Sequence, residues 1–168
     1  LIHMCSECGY SGGESDFTAA TDMSPVLKQH VLTELAPVKS SLVCGSEKYE
    51  AAAKVAQWQG LDPRHVADLL LRAAWCCVDE GDVEAERYFR RHAAWTFEDA
   101  LKTYDGVPRD ERPILTYLVG ELWRRIGDTE KATAWVTRVA DEVTEPQNQT
   151  CVIDDAEHQR MNPNEGVG

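Results

Sequence analysis

Apolar residues along this chain fall into blocks at helical spacing, each bounded by Gly, Pro, Ser or Asp. Ser24-Pro25 opens the first block, because a hydroxyl can accept the free amide hydrogens of a helix start and proline tolerates the first turn. Val26, Val31, Leu32 and Leu35 predict a short helix that ends before Pro37, with residues 36–45 as a connection. Ser46 is placed to cap a helix whose small face is Ala52, Ala53 and Ala56 and which stops at Gly60. Asp62-Pro63 restarts the pattern, and Val66, Leu69, Leu70, Ala73 and Cys77 carry it to Gly81. A longer block holds Ala85, Tyr88, Phe89, His92, Phe97, Ala100, Leu101 and Tyr104 and is stopped by Gly106 and Pro108. The next starts near Pro113, carries Ile114, Tyr117, Leu118, Leu122 and Ile126, and ends at Gly127. Asp128 caps the last, lined by Ala132, Trp135, Val136, Val139 and Val143.

Outside these blocks, residues 1–22 are rich in Gly, Ser, Asp and Thr and read as turns and loop. Pro146 breaks the pattern, Val152–Met161 reads as one short helix, and Asn162–Gly168 reads as a disordered tail. No stretch alternates as a strand does. The fold class expected is all-α, in three parts: a knuckle and loop over 1–22, a helical domain over 23–161 and a tail over 162–168.

The turns Gly60–Asp62, Gly81–Asp82 and Gly127–Asp128 are so short that consecutive helices must fold back as antiparallel hairpins. Stacked hairpins with small residues at close crossings follow the logic of helical repeats. Residues 116–140 resemble a tetratricopeptide (TPR) unit: Gly120 stands where two helices approach closely, Trp123 supplies a large aromatic, Gly127 makes the turn, and Ala132 is the small contact in the second helix. An earlier unit through Ala73, Ala74, Gly81, Ala85, Phe89 and Ala93 follows the same idea with a shifted turn. Gly81 and Gly127 lie 46 residues apart, longer than the usual TPR period of about 34, so the array is divergent or elongated.

Met4-Cys5-Ser6-Glu7-Cys8-Gly9-Tyr10 with Glu14-Ser15-Asp16-Phe17 also resembles an uncharacterised prokaryotic family, domain of unknown function 2225. The resemblance continues through Leu71-Arg72-Ala73-Ala74-Trp75 with Glu80-Gly81-Asp82. Tyr117-Leu118-Val119-Gly120-Glu121-Leu122 with Arg125-Ile126-Gly127-Asp128 extends it to about residue 143. It implies a Cys-x-x-Cys zinc knuckle followed by TPR-like repeats. That family carries a further Cys-x-x-Cys upstream, which this chain lacks. The start at Leu1 rather than Met raises the expectation that residues precede it.

Composition narrows the partners. The chain has 29 acidic against 17 basic residues, a net charge of −12, and no basic block. Nucleic-acid affinity rests on neutralising phosphates, and anionic membranes select for basic surfaces, so neither partner is expected. No apolar run approaches the ~20 residues needed to span a bilayer. Six scattered cysteines and the absence of a secretory pattern point to a reducing cytoplasm.

Cys5 and Cys8 carry the clearest chemistry. Two thiolates spaced by two residues can chelate one tetrahedral zinc, and Gly9 lets the backbone fold around the sulfurs. They supply two of four ligands, so the structural zinc is incomplete in this chain unless His3, Cys44, Cys151 or an upstream pair completes it. A redox Cys-x-x-Cys would need a βαβ context that is missing. Cys76 and Cys77 point about 100° apart on a helix and read as core. The tryptophans and tyrosines, mostly on apolar stripes, also read as core. Arg87, Arg90 and Arg91 read as a solvated edge paired with Glu84, Glu86 or Glu98. The scattered histidines form no ligand pattern, no phosphate loop is present, and Asn148-Gln149-Thr150 is a sequon without meaning in the cytoplasm.

A TPR-like hairpin over 113–144 would turn the first helix towards a concave groove, with Ile114, Tyr117, Glu121, Arg124 and Arg125 facing it. An aromatic, an acid and two arginines suit a peptide. The sequence therefore reads as a protein- or peptide-binding helical-repeat module with a zinc knuckle. Its alternatives are an enzyme with an unidentified site and a self-assembling structural protein.

Overall fold

A computed structural model describes residues 1–19, 23–103, 107–143, 155, 156 and 158. The chain divides into two compact units, Leu1–Phe89 and Arg90–Gly168.

The first unit begins with a hairpin that the sequence reading missed: β1 (His3–Met4) pairs antiparallel with β2 (Ser11–Gly12), His3 opposite Gly12 and Met4 opposite Ser11. Two-residue strands are too short to show alternation. The expected loop over 1–22 also holds α1 (Glu14–Ala19), where Asp16 accepts the Gly13 N–H at 2.7 Å. Helix α2 (Pro25–His30) starts as read, with the Leu27 N–H donating to Ser24 Oγ. The chain does not stop before Pro37. It widens into a π turn over Val31–Leu35 and tightens into a 3-10 turn over Ala36–Ser41, where proline fits the first turn. Tyr10, Leu27, Val31, Leu35, Ala51 and Val55 form the core beneath, and Cys5, Cys8, Phe17 and Trp58 pack around it.

Helix α3 (Gly45–Trp58) is capped by Glu47, which takes the Val43 and Cys44 N–H groups, and not by Ser46. Ser46 instead donates its hydroxyl and its N–H to the Glu80 carboxylate, tying the start of α3 to the end of α4 (Pro63–Glu80). Asp62 caps α4 through the Arg64 N–H at 2.8 Å, as its sequence dictates. Ala52, Ala53 and Ala56 face Val66 and Leu69 across this hairpin. Gly45 allows the close approach, since a Cβ there would lie 2.9 Å from Cys76 Sγ. Cys77 is fully buried with Ala73, Ala74 and Phe89, and Cys76 is half-buried, so this pair packs as expected. Burial pushes both thiols up.

Helix α5 (Val83–Lys102) contains the division between the units. It ends at Lys102; Tyr104 and Gly106, expected to close it, lie outside the described residues. In the second unit Phe97, Val119, Leu122 and Trp123 are almost wholly buried. Helix α6 (Arg112–Ile126) turns at Gly127 and continues as α7 (Thr129–Thr137). Asp128 caps α7 through the Lys131 N–H, and its own N–H closes the turn onto Trp123 O at 3.0 Å. The expected single last helix is broken at Arg138, after which α8 (Val139–Glu142) follows. Arg112 ties α8 to the end of α5, donating to Glu142 and to Leu101 O. Of the stretch 152–161, Asp155, Ala156 and His158 are helical; Pro146, Cys151, the sequon and the tail lie outside the described residues. The described fold is therefore mostly helical with one small β hairpin. No described helix is long and apolar enough to cross a membrane.

Helices α6 and α7 meet at Gly120, where a Cβ would stand 2.6 Å from Val136 Cγ2, 3.3 Å from Val136 N and 3.4 Å from Ala132 O. Alanine raises helix propensity by up to about 1 kcal/mol, but overpacking costs about 1–3 kcal/mol and Val136 is stiff. Gly120→Ala is expected to lower the unfolding midpoint in denaturant, and Val136→Ala in the same chain is expected to recover part of the loss. A more stable single variant would contradict this crossing.

Candidate functional site

Helix α6 builds the strip. Gly120 turns towards α7 and Trp123 towards Trp95, Glu98 and Lys131, and 3.6 residues per turn place Ile114, Glu121 and the Arg124–Arg125 pair along an adjacent face, with Tyr117 at its edge. Ile114 is 54% exposed, Tyr117, Glu121 and Arg124 are half-buried, and Arg125 is exposed. Sequence spacing thus places all five side chains along one helix. Glu121 holds both arginines, as their i,i+3 and i,i+4 spacing allows: Arg124 donates Nε and a terminal nitrogen at 2.7 and 2.8 Å, and Arg125 donates Nε to the same carboxylate. Burial pushes the Glu121 carboxyl up, but the hydrogen bonds and charges of Arg124 and Arg125 outweigh it and hold it below the usual carboxylate range. Burial raises the Tyr117 phenol, helped by the charges of Asp155 and Glu121. Tyr117 packs on a cluster of Val136, Val139 and Ala156.

The knuckle is built from the backbone. Cys5 N–H donates to Tyr10 O and Gly9 N–H to Cys5 O, both at 2.8 Å, closing a tight loop around the two sulfurs. Gly9 sits at φ +76°, and a Cβ there would come within 3.0 Å of Leu35 O, so only glycine fits. Backbone hydrogen bonds from Glu7 and Cys8 lower the Cys5 thiol, whereas burial raises Cys8. Lys39 donates to Glu7 O across the loop. The donor set suits a soft divalent metal as half of a tetrahedral site. Among the described residues no group of three or more His, Cys, Asp or Glu side chains is placed to hold a metal ion. His3 instead stands edge-on to Phe17, and Cys44 lies exposed at the start of α3.

A third feature escaped the sequence reading. Trp95 is 43% exposed and stands edge-on to the buried Trp123, with ring centroids 6.0 Å apart. Arg91, Ile126 and Lys131 complete an open cleft of about 510 Å³ at the Gly127 turn. Lys131 Nζ rests over the Trp123 ring at 3.8 Å, and Trp123 donates its indole N–H to Glu98. Trp75 and Tyr88 are likewise about half exposed, so three aromatics expected in the core are not there. Arg90 departs in the other direction: it is buried, while Arg87 and Arg91 are exposed. A wide apolar stripe cannot show how much of its edge is covered, which is why periodicity misplaced these four.

Glu121's lowered pKa sets a pH dependence. A carboxyl depressed in the folded state adds stability above its unfolded value, near 4.3, and that contribution is lost as pH falls through the folded value. Glu121→Gln is expected to cost about 1–3 kcal/mol at neutral pH, with the gap to wild type closing in acid. Denaturant unfolding across pH checks it; a gap independent of pH would contradict the pairing.

No curated protein and no solved structure matches this chain. Residues 1–162 match a family model, and the matched span takes in the knuckle, both helical hairpins and the α6 strip. The chain belongs to the bacterial family described as "Uncharacterized protein conserved in bacteria (DUF2225)".

Proposed function

We propose that the chain is a TPR-like helical-repeat module that binds a protein or peptide along α6, with a structural zinc at its N-terminal knuckle. The observation that carries the binding reading is the α6 strip itself. An exposed Ile114, a half-buried Tyr117 and a carboxylate-bridged arginine pair lie in line on a helix whose neighbouring face is locked at Gly120. Hot spots of protein interfaces favour such aromatic and arginine anchors, and rigid elements hold them in place. Arg125 keeps donor capacity for a partner carboxylate or carbonyl beyond its bond to Glu121.

Cys5 and Cys8 would supply two sulfur ligands to the zinc, whose part is to fix the loop between β1 and β2. The remaining ligands would come from beyond this pair. Cytoplasmic location and the exclusion of nucleic acid and membrane partners stay expectations of the charge balance. An enzymatic role has no residue assigned to it, and self-assembly is an outcome of the test below.

The test compares wild type with Ile114→Glu/Arg125→Gln, two exposed positions; Arg124 keeps both of its bonds to Glu121, so the loss of stability should stay within about 1 kcal/mol. Affinity capture from host lysate is expected to recover a partner with wild type and to lose it roughly tenfold, about 1.4 kcal/mol, with the variant. Equal recovery would move the site off α6, and a stable homodimer without other partners would favour self-assembly. Elemental analysis of a chain extended upstream by a second Cys-x-x-Cys pair should find about one zinc per chain, and none after Cys5→Ser/Cys8→Ser. A zinc-free extended chain grown with ample zinc would contradict the knuckle's metal.

A further inference from the structure

The cleft at the Gly127 turn lies within the second unit, on residues that the α6 strip does not use. Arg91 and Trp95, four apart, share a face of α5; Trp123 and Ile126, three apart, share one of α6; α7 adds Lys131. Trp95 is held from two sides, edge-on to Trp123 at 6.0 Å and to His92 at 5.3 Å, yet stays 43% exposed. It is an indole platform fixed in place with part of its surface open. Trp123 is fixed as well, because Glu98 accepts its indole N–H at 2.7 Å. Lys131 Nζ lies 3.8 Å from the centre of the Trp123 ring and 5.9 Å from that of Trp95.

The charges decide what such a platform takes. A pair of indoles ordinarily selects a cation. Here the chain's own ammonium holds that place, and Arg91 adds a second positive charge, so a cationic ligand is repelled. Asp128 is already engaged on α7: its Oδ1 accepts the Lys131 N–H, and its Oδ2 stands 3.8 Å from Nζ. Arg91 is exposed, and among the described residues no side chain pairs with it. The opposing charge left in the lining is that of the exposed Glu130.

We propose that this cleft binds a small aromatic anion, its flat ring laid on the open part of Trp95 and its carboxylate or phosphate taken by Arg91 and Lys131. A volume of about 510 Å³ suits a molecule of that size. Stacking on an indole accepts many rings, whereas a guanidinium fork and an ammonium demand the anion. The cleft and the α6 strip use different residues, so either reading can fail without the other.

Two probes carry this chemistry, adenosine monophosphate and indoleacetate, with adenosine and indoleacetamide as their uncharged counterparts. Each is titrated into the full-length, isotope-labelled protein and followed by NMR at the tryptophan indole N–H signals. The Trp95 signal is assigned by its loss in Trp95→Phe. At least one anion is expected to shift that signal saturably, with a Kd of about 1 mM or tighter. Its uncharged counterpart should bind at least about fivefold more weakly. The tighter of the two anions tells phosphate from carboxylate, and binding by either supports the proposal. Arg91→Gln, a change at an exposed position that should leave the unfolding midpoint in place, is expected to weaken binding about fivefold. Glu130→Gln, which removes the opposing charge, is expected to tighten it. No saturable shift at Trp95 with either anion would overturn the proposal. So would equal binding of an anion and its uncharged counterpart, or binding that neither Arg91→Gln nor Glu130→Gln changes.

Discussion

The arrangement of the second unit's α6 depends on one close approach. Helices α6 and α7 cross where a side chain as small as a methyl group has no room, so Gly120 sets both the distance between them and the rotation of α6 about its axis. That rotation decides which residues point at α7 and which line the adjacent face. With Gly120 against Val136, Tyr117 packs at the edge of the same crossing on Val136 and Val139, and Ile114, Glu121, Arg124 and Arg125 line the neighbouring side. The left-handed Gly127 and the Asp128 cap then make the return to α7 abrupt, so the hairpin has little freedom to slide.

The first unit obeys the same economy of small residues. Gly9 lets the cysteine loop lie against Leu35, and Gly45 lets α3 lie against Cys76. Alanines fill the α3–α4 seam. The knuckle is therefore not an appendage hung on a helical domain, since Cys5, Cys8 and Tyr10 belong to the same apolar cluster as Leu27, Val31 and Leu35. A metal at the sulfurs would brace a loop whose backbone hydrogen bonds already shape it.

Much of this was legible before any coordinates. Asp62-Pro63, Gly81, Gly127 and Asp128 announce helix ends through local chemistry alone, and each acts as its residue type requires. Gly120 was readable as a crossing because a glycine inside an apolar helix has few other uses. What failed needed information from distant residues. Ser46 looked like a cap, yet Glu47 takes the free amides and Ser46 answers to Glu80, 34 positions away. The β1–β2 hairpin is too short for periodicity to register. Trp75, Tyr88 and Trp95 sit on stripes whose outer edge remains open, and nothing in their spacing distinguishes edge from centre. The five α6 residues stand in a row in the sequence, and the bridging of both arginines by Glu121 follows from their i,i+3 and i,i+4 spacing, whereas the seating of Ala156 beside Tyr117 is a matter of tertiary contact.

The central claim is that α6 presents its strip to another polypeptide. The most direct measurement replaces Ile114, or in a separate chain the still more exposed Val26 of the other unit, with a photoreactive benzoylphenylalanine and irradiates cells producing each protein. The account predicts a discrete covalent adduct to a second polypeptide from position 114 and none from position 26. Adducts of equal yield from both positions, or none from 114, would contradict it.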